Sequence, residues 1–302
     1  MSPNSFVYSV FGLTIESNFK IFFLQNLKKK SSYDLKVILN RSFNEPKNLH
    51  SLRTVFTRNY IYYIDNHDVI FRISERGTIE IKNCNNTNEQ DIVFSLVGIP
   101  IGYFFFLKGL YVNHASTITK GRNAISFLGQ TNSGKSSLSN FFLSKNFKFV
   151  SEDLCLINEK QIIDRSSNWI KLSKDIFKGS IESFLDFKLI PGDKRKREFC
   201  ILKDNLIFNG RAKLKLCYVP IWGDDIKISK LDNEEAFKFL LTNSYRPKNY
   251  KKTSKLEEIT LKNITNFIEN VQCFRFSRKK DMKYFDKSNN FLLSHIEQTI
   301  NS

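Results

Sequence analysis

The residues whose types and spacing point most clearly to chemistry are Gly129-x-x-x-x-Gly134-Lys135-Ser136, in a chain of 302 residues. Each fixed position has its own task. The glycines let the backbone turn and approach an anion closely. Successive backbone N–H groups can then point at phosphate oxygens, and a helix opening at Lys135 adds the positive end of its dipole. Lys135 reaches the β- and γ-phosphates, and the Ser136 hydroxyl is placed to bind the Mg²⁺ that bridges them. The expected nucleotide-contact segment is Gly129, Gln130, Thr131, Asn132, Ser133, Gly134, Lys135, Ser136 and Ser137, with ATP and Mg²⁺ as cofactors. The bland alternative is a glycine turn in an ordinary strand-loop-helix unit.

Mg·ATP chemistry also requires a carboxylate near the metal and often a base for the incoming nucleophile. Phe149-Val150-Ser151-Glu152-Asp153 supplies an acidic pair at the edge of an apolar strand. Ligands of α/β sheets sit at the carboxyl ends of the strands, where this pair would face the loop. An exposed acidic turn is the competing reading, since such pairs are common on surfaces.

The elements that must position these groups follow from hydrophobic periodicity. Ala124–Leu128 reads as a buried strand, Lys135–Ser144 as a helix with Leu138, Phe141 and Phe142 on one face, and Phe147–Val150 as the next strand. Further strands are expected at Asp153–Ile157, Leu214–Val219 and Ile226–Lys230. Helices are expected at Asn233–Thr242, with Asp232 as N-cap, at Lys262–Glu269 and at Asp281–Gln298. Residues 6–100 read as mainly β, with strands at Phe6–Phe11, Ile61–Ile64, Val69–Ile73 and Thr78–Ile81, the last two hinged on Glu75-Arg76-Gly77. The apolar clusters Val97–Leu107 and Ile125–Leu128 read as buried strands. The division expected is a β-rich region over 1–105, for substrate recognition or support, and an ATP-binding catalytic domain over 106–302.

Composition narrows the class. A hydrophobic content of 41%, with 6 Pro and 12 Gly, excludes a disordered linker and a collagen-like fibre. The net charge of +17 raises the question of an anionic partner, but the charges are spread along the chain rather than gathered, which argues against nucleic acid. Much of the excess is Lys amid Asn, Ile and Phe, a pattern that also follows from coding bias. Cys84, Cys155, Cys200, Cys217 and Cys273 form no CxxC pair and read as core residues in a reducing compartment. No stretch approaches the ~20 apolar residues of a membrane span, and the N-terminus lacks a basic, apolar signal pattern. A soluble, cytoplasmic protein without a membrane partner is expected.

These residues resemble the bacterial HPr kinase/phosphorylases, and more closely the HPr-kinase-like proteins of ribosomal peptide pathways, including lasso-peptide precursor kinases. The resemblance rests on Val112-Asn113-His114-Ala115, a short strand, the glycine loop with its helix, and Phe149-Val150-Ser151-Glu152-Asp153. Weaker matches at Tyr8–Ser17, Lys215–Val219, Glu235–Phe237 and Val271–Phe276 extend it over most of the chain. It implies a mixed α/β fold with a P-loop core of the HPr kinase/PEP carboxykinase type. It also implies catalytic roles for Asp153, Glu152, His114 and Lys135, with His114 near the transferred phosphoryl group and Ser136 and Asp153 on the metal. One carboxylate would be the base and the other would support Mg²⁺. Glu152 stands where the family usually has Asp, and the added methylene moves its carboxylate by about 1 Å, a displacement large enough to matter in catalysis.

The activity this implies is transfer of the γ-phosphoryl group of ATP to a serine or threonine hydroxyl of a peptide or small protein. A nucleotide-binding regulatory or nucleic-acid-binding module without kinase activity is the alternative. The basic run Lys194-Arg195-Lys196-Arg197, after Pro191-Gly192-Asp193, either holds a phosphate or acidic peptide or is a solvated loop. A homo-oligomer is left open, since the HPr kinases form hexamers and the peptide-pathway relatives need not share that interface.

Overall fold

A computed structural model describes residues 5–24, 27, 32–83, 85–165, 167–178, 181–190, 196–245 and 254–301. The fold is mixed α/β. It begins with β1 (Phe6–Val10), β2 (Leu13–Ser17), β3 (Leu35–Leu39), a single-turn helix α1 (Leu49–Leu52), β4 (Thr54–Phe56), β5 (Tyr60–Ile64), β6 (Ile70–Ser74) and β7 (Thr78–Lys82). These strands form one sheet in the order β1-β2-β3-β7-β6-β5-β4. The β6–β7 hairpin turns through Glu75-Arg76-Gly77 as expected. Gly77 takes φ +91°, and a Cβ there would lie 2.7 Å from the Asp34 carbonyl oxygen, so the turn requires glycine.

Two helices follow, α2 (Glu89–Leu96) and α3 (Ile99–Leu107), before β8 (Tyr111–Asn113). The strand expected over Val97–Leu107 is therefore wrong: this segment is helix α3. An apolar run of this kind has no polar face to reveal its period. Pro100 sits in the first turn, where its missing N–H costs nothing, and the helix is apolar all round because it is enclosed by the N-terminal core. Ile101, Phe104 and Phe105 are buried there with Phe71, Ile79 and Val93. No single helix among the described residues is long and apolar enough to cross a membrane; α2 and α3 together pass by length and composition but are bent by 42°.

The second half contains β9 (Ala115–Lys120), β10 (Asn123–Leu128), α4 (Lys135–Leu143), β11 (Lys148–Ser151), β12 (Cys155–Ile157), β13 (Ile162–Asp164) and β14 (Trp169–Leu172). It continues with α5 (Lys174–Lys178), β15 (Phe184–Leu189), β16 (Glu198–Leu202), β17 (Arg211–Trp222), β18 (Lys227–Lys230), α6 (Asn233–Asn243), α7 (Ser254–Asn270), β19 (Gln272–Arg278) and α8 (Phe285–Asn301). The central sheet runs β11-β9-β10-β17-β19-β18, with β13 also on β17. Strands β10, β17 and β19 are parallel, whereas β9 is antiparallel to both β10 and β11. β11 must then run in the same direction as β10. The carboxyl ends of β10, β11, β17 and β19 and the start of β9 consequently share one edge, where the glycine loop, His114 and the acidic pair lie, while Lys171 reaches them from β14 of another sheet.

Side-chain alternation separates the two faces of this sheet. Ile125 and Phe127 of β10, Tyr218 of β17 and Phe276 of β19 pack with Leu138 and Phe142 of α4 and Leu292 and Ile296 of α8. Leu128, Val219 and Cys273 face the other way, toward Leu240 of α6 and Ile264 and Phe267 of α7. Asp232 caps α6 by accepting from the Glu235 N–H at 2.8 Å, as the sequence predicts. A separate sheet, β14-β16-β15, joins the N-terminal core through Trp169 and Phe199, which stack at 5.7 Å beside Phe23. Cys155, Cys200, Cys217 and Cys273 are free and buried, and Cys84 lies outside the described residues.

Candidate functional site

The loop between β10 and α4 is shaped by two glycines and held from behind. Gly134 has φ +83°, and a Cβ there would come within 2.1 Å of the Arg278 guanidinium. A Cβ on Gly129 would meet the Ser133 hydroxyl at 3.0 Å. Lys135 is folded over the loop, its Nζ donating to the carbonyls of Gly129 at 2.7 Å and Gln130 at 3.0 Å. Trp222 Nε1 donates to the Asn132 carbonyl at 2.9 Å, and Asn132 itself takes φ +71°. The Ser133 hydroxyl is buried without a hydrogen-bond partner among the described residues. Ser136 and Ser137 open the helix with Lys135.

Glu152 and Asp153 follow β11 directly, and their side chains part. Asp153 adopts φ +61°, and the Leu154 N–H donates across it to the Glu152 carbonyl at 2.7 Å. This is a γ-turn with a positive central φ, a conformation that costs on the order of 1–3 kcal/mol and persists only where the surroundings impose it. Glu152 turns inward and is 2% exposed. It accepts from the Ser136 hydroxyl and, at 2.7 Å, from the Ser116 hydroxyl, which is also 2.7 Å from Ser139 of α4. The buried network thus ties α4, β9 and β11 together beneath the loop.

Asp153 turns outward, its side chain 20% exposed. Lys171 Nζ of β14 donates to Oδ2 at 2.6 Å, and His114 Nε2 lies 3.4 Å from Oδ1. His114 is fixed in turn by its backbone N–H, which donates to the Asn243 carbonyl at 2.8 Å, and by Tyr245, whose ring stands at 82° to the imidazole.

The two carboxylates differ electrostatically. Burial and then the neighbouring Asp153 charge push Glu152 up to about 7, against the opposing pull of its two serine donors. For Asp153, burial alone would raise the pKa, but Lys171 and His114 outweigh it and hold the group well below its ordinary value. At neutral pH Asp153 is an ionised acceptor, whereas Glu152 holds its proton far more readily than an ordinary carboxylate.

A cleft of about 410 Å³ opens beside the loop: its walls include His114, Lys135, Ser136, Asp153, Lys171 and Arg197. Of the basic run, Arg197 therefore borders the cleft, Lys196 is exposed, and Lys194 and Arg195 lie outside the described residues with Pro191-Gly192-Asp193. The donor set is serine hydroxyl and carboxylate, the hard oxygens that suit Mg²⁺. Among the described residues no group of three or more His, Cys, Asp or Glu is arranged as a metal cage. An ion here would need phosphate oxygens to complete its coordination, which is the usual habit of Mg²⁺.

Sequence reasoning singles out Asp153 for the side of Ser136 and the metal, yet the Ser136 hydroxyl is bonded to Glu152. It also passes over Ser116, Lys171, Trp222 and Arg278. Lys171 leaves one signal, a cation in the otherwise apolar strand Trp169-Ile170-Lys171-Leu172. Arg278 sits just beyond the Val271–Phe276 segment and leaves no local signal.

No protein-family model and no curated protein matches the chain. Among solved structures it is similar to the Hpr(Ser) kinase/phosphatase from Coxiella burnetii, at 10% sequence identity and a TM-score of 0.31, over 62% of this chain and 97% of the other. The similarity is one of distant fold alone.

Proposed function

We propose that the chain is an ATP- and Mg²⁺-dependent kinase that transfers the γ-phosphoryl group to a serine or threonine hydroxyl of a peptide or small protein. The observation that carries this reading is the divided acidic pair beside the glycine loop. One carboxylate is buried on the loop serine; the other is exposed to the cleft and held ionised by a lysine and a histidine.

In this reading the loop N–H groups and Lys135, released from the loop carbonyls, bind the phosphates. Bound Mg²⁺ neutralises charge on the phosphate oxygens. Ser136 and Glu152 would hold it, which is the reverse of the order suggested by the family pattern, and Glu152 reaches Ser136 with its extra methylene. Asp153 accepts the proton of the acceptor hydroxyl as that oxygen bonds to the γ-phosphorus and the bond to the β-phosphate oxygen breaks, leaving ADP. A loose transition state makes little demand on basicity, so a strongly ionised carboxylate suffices. Lys171 and His114 orient Asp153 rather than meet the substrate first. The region 1–105 serves as a support, its core continuing into Trp169 and Phe199 on the strands that carry and flank Lys171.

The test is transfer of radiolabel from γ-labelled ATP to serine-containing peptides. Lys135→Ala should abolish both ATP-induced thermal stabilisation and transfer. Asp153→Asn should keep the stabilisation and lose at least about a hundredfold in transfer, the usual scale for a general base. Wild-type protein that binds ATP·Mg²⁺ but labels no peptide would instead support a regulatory nucleotide-binding module.

A further inference from the structure

Arg278 is a buried cation with no carboxylate in ion-pair contact among the described residues. The residue is 2% exposed, at the end of β19, and makes no ion pair among the described residues. Its guanidinium donates through Nη2 to the carbonyls of Ser133 at 3.1 Å and Gly134 at 3.3 Å, and through Nη1 to Asn289 Oδ1 of α8 at 3.3 Å. The plane lies 4.7 Å from the Trp222 ring, which itself holds the Asn132 carbonyl. Two donors, Arg278 Nε and Asn289 Nδ2, are buried without a hydrogen-bond partner among the described residues. Burial lowers the guanidinium to about 10, which still leaves it protonated at neutral pH.

For stability alone this arrangement is poor, because an unpaired buried charge costs several kcal/mol relative to an apolar side chain of the same shape. Two features offset that cost only when an anion is present. Arg278 lies on the cleft wall and fixes the carbonyls of Ser133 and Gly134, the second of which also accepts from the Leu138 N–H at 3.0 Å as α4 opens. Its charge also borders the cleft beside the glycine loop, where the low dielectric strengthens its attraction for an anion. The clash that any Cβ on Gly134 would make with Nη2 shows that the loop and the guanidinium are fitted to one another.

We propose that Arg278 is a positioning residue, a buried counter-charge that presets the glycine loop for an oligophosphate at the expense of the ligand-free fold. This rests on the reading of the loop as a phosphate site. It makes Asn289 a second contributor, since Asn289 fixes the fork from α8.

Thermal unfolding of the full chain tests it, with Mg²⁺ plus either ATP or inorganic tripolyphosphate as probe. Arg278→Met should leave the ligand-free melting temperature equal to or above that of wild type while weakening both probes by at least about tenfold, the scale of a lost charged hydrogen bond. Arg278→Lys keeps the charge but not the fork, and should retain only part of the affinity. Asn289→Ala should weaken both probes less than Arg278→Met, again without a matching loss in ligand-free stability. A lowered melting temperature with undiminished probe binding in Arg278→Met overturns the inference and leaves a merely structural arginine. Loss confined to ATP, with tripolyphosphate unaffected, overturns it in favour of a base contact. Absence of any shift in wild type would overturn the phosphate reading of the loop itself, and this inference with it.

Discussion

Glu152 is where the chemistry of single residues is most exposed to test. Its carboxyl is pushed up to about 7 from an ordinary 4.5, so between those two values the folded chain holds a proton that the unfolded chain has released. Stability must therefore fall as pH rises through that window, and level off above it. Asp153 has the opposite sign: its contribution is complete above its ordinary 3.8 and is lost only as pH falls below it, so it does not interfere. Glu152→Gln, which cannot ionise, should remove most of the decline. Urea denaturation of both proteins at about pH 5 and about pH 8 should show a wild-type loss on the order of 3 kcal/mol that is largely absent from the variant. An equal decline in both would mean that Glu152 titrates as an ordinary surface carboxylate.

Elements decide where these residues point. The sequence reading places Asp153 with Ser136 on the metal, whereas the γ-turn at Asp153 sends Glu152 beneath α4 to Ser136 and Asp153 toward β14. Helix α3 acts at longer range. Gly102 leaves room for Tyr245, since a Cβ would lie 2.2 Å from its Cδ1 and 2.6 Å from its Cε1, and Tyr245 packs edge-on against His114. Gly102→Ala should therefore cost about 1–3 kcal/mol in denaturant unfolding through overpacking. It should also reduce phosphotransfer by displacing the tyrosine beside His114. Ile101→Val, on the same helix, should cost about 0.5–1.5 kcal/mol with activity unchanged. Activity lost equally in both would trace the effect to general instability.

Across the whole molecule, the principal core does not stop at the end of the β-rich region. It runs from Tyr8 and Phe71 through Phe104 and Phe105 to Val112, Leu154, Trp169 and Phe199. Phe23 lies 4.4 Å from Trp169 and 5.3 Å from Phe199 between ring centres, at the seam. Phe23→Ala should accordingly cost about 3–5 kcal/mol. Calorimetry should show one cooperative transition in both wild type and variant. Two resolved transitions, with only one moved by the substitution, would show that the halves unfold independently.

The sequence by itself determined the loop between β10 and α4, the acidic pair after β11, the β6–β7 hairpin and the capped start of α6. All of these are written in contiguous residues whose spacing has one local physical meaning. The helical state of Val97–Leu107 was not legible there, because a segment enclosed on every side carries no amphipathic period. Nor was the division of labour between Glu152 and Asp153. That depended on Ser116, Lys171 and His114, which converge on the pair from β9, β14 and the β8–β9 junction. Strand order and direction alone bring them together, and with them the fields that hold one carboxylate ionised and the other near neutrality.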